Sequence, residues 1–139
     1  MGGGLRETDV VVIEADDLLS WAITRILRTA GLSVEVFASV EQFIRSDQVP
    51  FTACLVVDVQ MPGMSGLQLQ SHLASTGRPI PIVFITTSAD ERVQAIGSKV
   101  GAVDFQVQPS GEKALLKEIG LRLKPKGKQE PTGFRIPEP

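Results

Sequence analysis

The sequence lacks several features that would assign it to a well-defined class of protein. Its 139 residues contain one cysteine, Cys54, so an intramolecular disulfide is excluded and a reducing, cytoplasmic environment is predicted. No apolar run approaches the roughly 20 residues of a membrane-spanning helix, and the opening Met-Gly-Gly-Gly has no apolar signal core. The net charge of -2 argues against a general nucleic-acid binder or a protein of anionic membrane surfaces.

What the sequence does contain is an alternation of two patterns. Five short runs rich in β-branched residues predict strands: VVVI (10–13), VEVF (34–37), CLVV (54–57), IVFI (82–85) and VDFQV (103–107). The first, third and fourth are continuously apolar, which is typical of parallel strands covered on both faces.

Helical patterns fill the intervals between the predicted strands. Gly31 is expected to end the first helix, Ser39 with Gln42 to form a capping box, and Ser65 and Asp90 to cap two later helices. A last helix is predicted after residue 110, with Leu115, Leu116, Ile119 and Leu123 on one face.

The alternation predicts an α/β fold with a five-stranded parallel sheet in the order 2-1-3-4-5, a flavodoxin-like three-layer sandwich. The domain is expected over 9–123, after a flexible leader at 1–8. The stretch 124–139 is rich in proline, glycine and charge, and we expect a linker or a disordered tail there.

Polar residues gather where the predicted strands end. EADD (14–17) follows strand 1, Asp58 follows strand 3, TTS (86–88) follows strand 4, and Gln108 follows strand 5. In such sheets, sites lie at the carboxyl ends of the strands. Converging carboxylates repel one another unless a cation joins them, and Mg²⁺ accepts one or two carboxylates completed by phosphate oxygens and water.

Three stretches resemble the receiver domain of bacterial two-component response regulators, within the CheY-like superfamily. VVDVQMPGMSG resembles the phosphoacceptor loop of that family, VFITTSAD its switch-threonine loop, and GAVDFQVQPS its strand 5 segment. The stretches VEVFASVEQFI and GAVDF resemble the FixJ-like subgroup, whose full-length members carry a helix-turn-helix output domain.

The resemblance implies a role for each matching residue. Asp58 would accept a phosphoryl group from a histidine kinase, and the Thr86 hydroxyl would contact that group. Phe105 would occupy the aromatic switch position, although a core position is the safer interpretation. Glu14, Asp58 and the backbone carbonyl of Gln60 would hold Mg²⁺.

Two positions depart from the family pattern. Ala15 replaces the usual aspartate ligand of the metal, and Gln108 replaces the usual lysine before the strand 5 proline. The first change removes an anionic oxygen donor, and the second removes a cation but keeps an amide donor. We therefore expect an atypical site in which Mg²⁺ binds weakly and Asp58 is phosphorylated slowly or not at all.

Three functions compete on this sequence. The first is an ordinary receiver that switches on phosphorylation; the interpretation we favour is a degenerate form of it, a phosphorelay receiver with weakened or absent phosphorylation. The second is a phosphorylation-independent pseudo-receiver that binds other proteins. The third, a flavodoxin-like cofactor binder or small enzyme, is the weakest, because EADD would repel a flavin phosphate and no GxxxxGK[ST] or GxSxG motif occurs.

We therefore predict a non-enzymatic cytoplasmic signalling domain. Its expected partners are a histidine kinase or another signalling protein, a second copy bound through helix 4, strand 5 and helix 5, and an output domain beyond the C-terminus. Neither a membrane nor direct nucleic-acid binding by this domain is expected. Trp21 could mark an exposed partner contact or lie partly buried under the strand 5 loop, and His72 is expected on the surface.

Overall fold

The computed structural model describes residues 7–106 and 108–123, and within them strands and helices alternate along the chain. The strands are β1 (Thr8–Ile13), β2 (Val34–Phe37), β3 (Thr52–Asp58), β4 (Ile82–Thr86) and β5 (Val103–Asp104). The helices are α1 (Asp17–Thr29), α2 (Val40–Arg45), α3 (Gly66–Ser75), α4 (Glu91–Val100) and α5 (Ser110–Leu123), with a 3₁₀ turn at Val49–Phe51. All strands pair in parallel in the order β2-β1-β3-β4-β5, which confirms the predicted α/β fold.

Helices cover both faces of the sheet because consecutive strand residues point to opposite sides. In β1, Val10 and Val12 pack into an apolar layer with α1 and α5, whereas Val11 and Ile13 pack into a second layer with α2 and α3. All four side chains are fully buried. This burial on two sides explains the continuously apolar strand sequences and produces the predicted three-layer sandwich.

The first residues of α2 and α3 test the N-caps that the sequence predicts. Ser65 begins α3 with a complete capping box, in which its hydroxyl accepts the Gln68 N–H and the Gln68 side chain accepts the Ser65 N–H. Ser39 caps α2 by accepting the Gln42 N–H, but the Gln42 side chain accepts from Ala38 instead of closing the box. Both predicted N-caps are confirmed, and the second box is only half formed.

The last strand is shorter than predicted. The sequence predicts a strand over 103–107, but β5 contains only Val103 and Asp104. The Asp104 side chain accepts the Gln106 N–H at 3.0 Å, which turns the chain away from the sheet. Residue 107 lies outside the described residues.

At the start of the domain, Thr8 already pairs with Thr52, so β1 begins inside the predicted leader. The rest of the predicted leader, up to residue 6, and the predicted tail at 124–139 lie outside the described residues. The longest of the described helices is α5 with 14 residues. None of the helices in the described ranges combines the length and the apolar character needed to cross a membrane.

Candidate functional site

Two acidic side chains meet at the carboxyl edge of the sheet because β1 and β3 are neighbours. Ile13 pairs with Val57, so the next residue of each strand, Glu14 and Asp58, lies at the same level. Glu14 is 4% exposed and Asp58 is 3% exposed. The structure thus brings together two of the residues that the sequence predicts as metal ligands, and it removes both from bulk water.

Burial of these acids changes the protonation of Glu14. Burial, together with a hydrogen bond and charge repulsion from the Asp58 carboxyl, raises the pKa of Glu14 from 4.5 to about 8. The backbone N–H groups of Asp16 and Ala15 oppose this rise, and the Asp16 N–H donates to Glu14 Oε2 at 3.2 Å. Glu14 Oε1 is buried and has no hydrogen-bond partner within the structure. Among the described residues, no cationic side chain contributes to the pKa of Glu14.

Besides its contact with Glu14, each carboxylate oxygen of Asp58 accepts a hydrogen bond from another residue. The Gln60 N–H donates to Oδ1 at 2.9 Å, and the Thr87 hydroxyl donates to Oδ2 at 3.0 Å. These two donors hold the carboxylate in one orientation and leave each oxygen with a further lone pair. Such an arrangement suits an oxygen that must bind a cation or attack a phosphorus atom.

Neither Ala15 nor Asp16, the residues that follow Glu14, adds a carboxylate to the pair of Glu14 and Asp58. Ala15 is exposed, and its side chain has no oxygen that could bind a metal ion. Asp16 is instead the N-cap of α1, where Oδ1 accepts the Leu19 N–H at 3.0 Å. Among the described residues, no group of three or more acidic, histidine or cysteine side chains is arranged to hold a metal ion.

The donors at this corner suit Mg²⁺. Mg²⁺ is commonly bound by one or two carboxylates with several waters retained, and it prefers oxygen. Glu14 and Asp58 supply two carboxylates, one oxygen of which is buried without a partner, and the Gln60 backbone lies beside them. The residues present therefore match the chemistry of Mg²⁺.

The two threonines at the end of β4 have different surroundings. Thr86, the predicted switch residue, is buried, and its hydroxyl has no hydrogen-bond partner within the structure. Thr87 is the residue that bonds Asp58. Because side chains alternate along an extended segment, adjacent threonines face opposite sides, and this alternation is the sequence signal that could have pointed to Thr87.

Gln108 and Phe105 contact each other at the turn that leads into α5. The Gln108 amide donates to the Phe105 carbonyl at 2.8 Å and accepts the Glu112 N–H at 3.2 Å, so it stabilises the turn into α5. Phe105 is buried in the layer formed by α1 and α5, and its N–H donates to the Thr86 carbonyl at 2.9 Å. The structure therefore places Phe105 in the core and Gln108 on the surface.

Two further residues lie on the surface. Trp21 is 60% exposed on α1, and the guanidinium of Arg25 lies 5.5 Å from its ring centroid. His72 is exposed on α3, as the sequence predicts. Of the two positions considered for Trp21, the exposed one is observed.

These features define a flavodoxin-like α/β domain with a buried acidic site at the carboxyl edge of its sheet. The family model of the response regulator receiver domain matches residues 10–120, which is more than half of the chain. The chain belongs to this family. Receiver domains are signalling domains of two-component systems, generally not enzymes, and they typically bind Mg²⁺ at the phosphorylation site.

Individual relatives agree with this assignment. The response regulator protein TodT of Pseudomonas putida is 35% identical over 133 residues, which cover 96% of this chain and 59% of TodT. The transcriptional regulatory protein FixJ of Azorhizobium caulinodans is 30% identical over 114 residues, which cover 82% of this chain and 54% of FixJ. The chain thus spans little more than half the length of these curated relatives.

A solved structure with similar sequence has the same fold. The response regulator receiver protein from Burkholderia phymatum matches with a TM-score of 0.62 and 29% identity, over 88% of this chain and 97% of that chain. A structure that consists almost wholly of a receiver therefore superposes on most of this chain.

Proposed function

We propose that this receiver works in a two-component phosphorelay with Asp58 as the phosphoacceptor, and that its Mg²⁺-dependent phosphorylation is weak or absent. The observation that carries the proposal is the incomplete acidic corner. Asp58 is buried beside a single acid, Glu14, while the next residue is Ala15 and Asp16 is engaged as a helix cap. Phosphoryl transfer depends on positioning and on charge stabilisation. This corner holds the Asp58 carboxylate in position, but it supplies fewer charged groups to stabilise the transferred phosphoryl group.

Glu14, Asp58 and the Gln60 carbonyl are the groups that would hold Mg²⁺. When bound, the ion would neutralise the carboxylate pair and draw charge from the phosphoryl oxygens. The chain itself fixes the acceptor oxygen, since the Gln60 N–H and the Thr87 hydroxyl hold the Asp58 carboxylate in one orientation. We assign Thr86 as the switch hydroxyl and Phe105 as the aromatic position that accompanies it.

Gln108 weakens the site for a second reason. Its amide already donates one N–H to the Phe105 carbonyl and accepts the Glu112 N–H, so only its second N–H is left for a phosphoryl oxygen unless both bonds break. Two neutral hydrogen bonds contribute about 1 kcal/mol each. A lysine at this position would supply a charged donor, which forms bonds roughly twice as strong as neutral ones.

The decisive experiment is phosphorylation by acetyl phosphate with Mg²⁺, followed by intact mass. Wild type should gain little or no phosphate, the double variant Ala15→Asp/Gln108→Lys should gain more, and Asp58→Asn in either background should gain none. The double variant should also bind Mg²⁺ more tightly than wild type. Rapid and stoichiometric phosphorylation of wild type would overturn the proposed weakness, and equal Mg²⁺ affinity in both proteins would contradict the ligand assignment.

A pseudo-receiver that acts without phosphate is the second candidate. Exposed apolar side chains support it, because Ile96 of α4 is 47% exposed and Leu121 of α5 is 60% exposed. Such residues suit a protein contact, including a homodimer through α4, β5 and α5. An Asp58→Asn variant that keeps full partner binding and output would favour this candidate over the first.

We further propose that a histidine kinase or another signalling protein acts on this domain in the cytoplasm. We also propose that the receiver is followed by an output domain in the whole protein. The greater length of TodT and FixJ supports this proposal. The DNA-binding role would then belong to that output domain, and the receiver itself would contact neither nucleic acid nor membrane.

A further inference from the structure

A glutamate on α2 reaches the loop that follows the phosphoacceptor strand. Glu41 lies in the first turn of α2, and its Oε2 accepts the Met64 N–H at 2.9 Å. Met64 belongs to the connection between β3 and α3, so this bond joins segments 23 residues apart. It anchors the loop of Asp58 to a different βα unit.

The backbone of the loop is shaped to permit this contact. Gly63 has a φ of +75°, a conformation that side chains with a Cβ rarely adopt. A Cβ at Gly63 would lie 2.5 Å from Glu41 Oε2, so glycine lets the loop lie against the carboxylate without displacing the Glu41 side chain. Met64 also packs against the apolar layer that contains Val40 and Phe43 of α2.

The charge state of Glu41 strengthens the bond. The Met64 N–H is the main cause of a pKa for Glu41 below its ordinary 4.5, with Arg45 contributing a smaller attraction. The side chain is therefore an anion at neutral pH. Hydrogen bonds to an ionised acceptor are about twice as strong as neutral ones.

The same loop carries the groups that surround the acceptor. Gln60 lies four residues before Met64 and donates its N–H to Asp58 Oδ1, and its carbonyl is the expected backbone ligand for Mg²⁺. A loop free at Met64 would sample orientations in which this carbonyl points elsewhere. Rigid positioning of such groups is the main contribution a protein makes to phosphoryl transfer.

We propose that Glu41 is a positioning residue of the phosphoacceptor site, which acts by fixing the loop between Asp58 and α3. The effect of Glu41 on phosphorylation rests on the proposed function of Asp58. The hydrogen bond that connects α2 to the loop is independent of that function. Glu41 touches neither the metal nor the phosphoryl group and acts only through the loop.

Three variants test the proposal. Glu41→Ala removes the acceptor, and Glu41→Gln keeps an amide oxygen that can accept the Met64 N–H. Glu35→Ala removes the same charge from an exposed position on β2, before the same helix. The first readout is amide hydrogen exchange at Met64 and Gln60 by NMR, which reports local opening of the loop.

We expect exchange at Met64 to accelerate roughly tenfold in Glu41→Ala, because a bond to a charged acceptor is lost. Exchange at Gln60 should rise with it. Glu41→Gln should restore most of the protection, and Glu35→Ala should match wild type. Unchanged exchange at Gln60 in Glu41→Ala, or an equal effect of Glu35→Ala, would overturn the proposal.

The second readout separates this inference from the proposed function. Titration with Mg²⁺ and beryllofluoride should show affinity several-fold weaker in Glu41→Ala and close to wild type in Glu41→Gln. If wild type binds too weakly to titrate, the same comparison is made in the Ala15→Asp/Gln108→Lys background; failure of that variant to bind either probe would contradict the phosphoacceptor assignment, while the exchange data still decide whether Glu41 holds the loop. Wild-type affinity in Glu41→Ala, where wild type does bind, would contradict the positioning role.

Discussion

Replacing Glu14 by glutamine should stabilise the folded protein at pH 8 and change its stability little at pH 5. In the wild type, folding moves the pKa of this carboxyl from 4.5 to about 8. The folded state therefore binds more protons than the unfolded state between these values. Stability must fall as pH rises through this window, because a buried carboxyl has to ionise beside Asp58.

The size of the effect follows from the width of that window. At about 1.4 kcal/mol for each pKa unit, the rise corresponds to at most about 5 kcal/mol. Side-chain relaxation and water entry lower such penalties, so we expect roughly 2 kcal/mol at pH 8. Glutamine removes the charge, and its amide nitrogen can donate to the Asp58 carboxylate.

The assay is urea unfolding followed by far-UV circular dichroism, at pH 5 and pH 8 in the presence of EDTA. Glu35→Gln serves as the control, because it makes the same chemical change at an exposed position on β2. Adding Mg²⁺ should raise the free energy of unfolding of wild type and have a smaller effect on Glu14→Gln. Equal changes at both pH values, or a loss of stability at pH 8, would refute the assigned acid pair.

Other predictions concern the acceptor, the packing of α3 and the buried thiol. Thr87→Val should lower the free energy of unfolding by about 1–3 kcal/mol, because Asp58 Oδ2 loses its donor, whereas Thr87→Ser should stay near wild type; equal losses in urea unfolding would contradict the bond. Gly66→Ala should cost about 1–3 kcal/mol by the same assay, since its Cβ would lie 2.5 Å from the Phe84 ring, and a neutral effect would show that the ring moves easily. Burial raises the pKa of the Cys54 thiol to about 12, so native protein at pH 8 should react with iodoacetamide only at the rate of unfolding, and fast labelling by mass would disprove its burial.

The architecture was predictable because each strand and helix carries a local signal. Continuous apolar runs predict the central strands, and Ser65 and Asp90 precede the helices that they cap. The end of β5 was not predictable in this way, because the alternation of apolar and polar residues continues beyond Asp104. The turn there depends on a side-chain hydrogen bond to the Gln106 N–H, which competes with strand pairing over a very short element.

The sequence predicts which residues lie at the carboxyl ends of the strands and form the candidate site. It does not predict which of their side chains contact one another. The sequence places Glu14 and Asp58 at one edge, and the structure shows them side by side. It does not reveal that Gln108 bonds its own turn, since a glutamine amide can reach in many directions. The bond from Glu41 to Met64 was equally hidden, because it depends on how two separate βα units pack.

Trp21 has a consequence for the optical properties of this domain. It is the only tryptophan, and the chain contains no tyrosine, so intrinsic fluorescence arises from one indole. That ring is 60% exposed beside a guanidinium, and its emission in the folded state is therefore that of a hydrated chromophore. Emission intensity would respond to a partner that covers α1, while the emission wavelength would change little when the core melts.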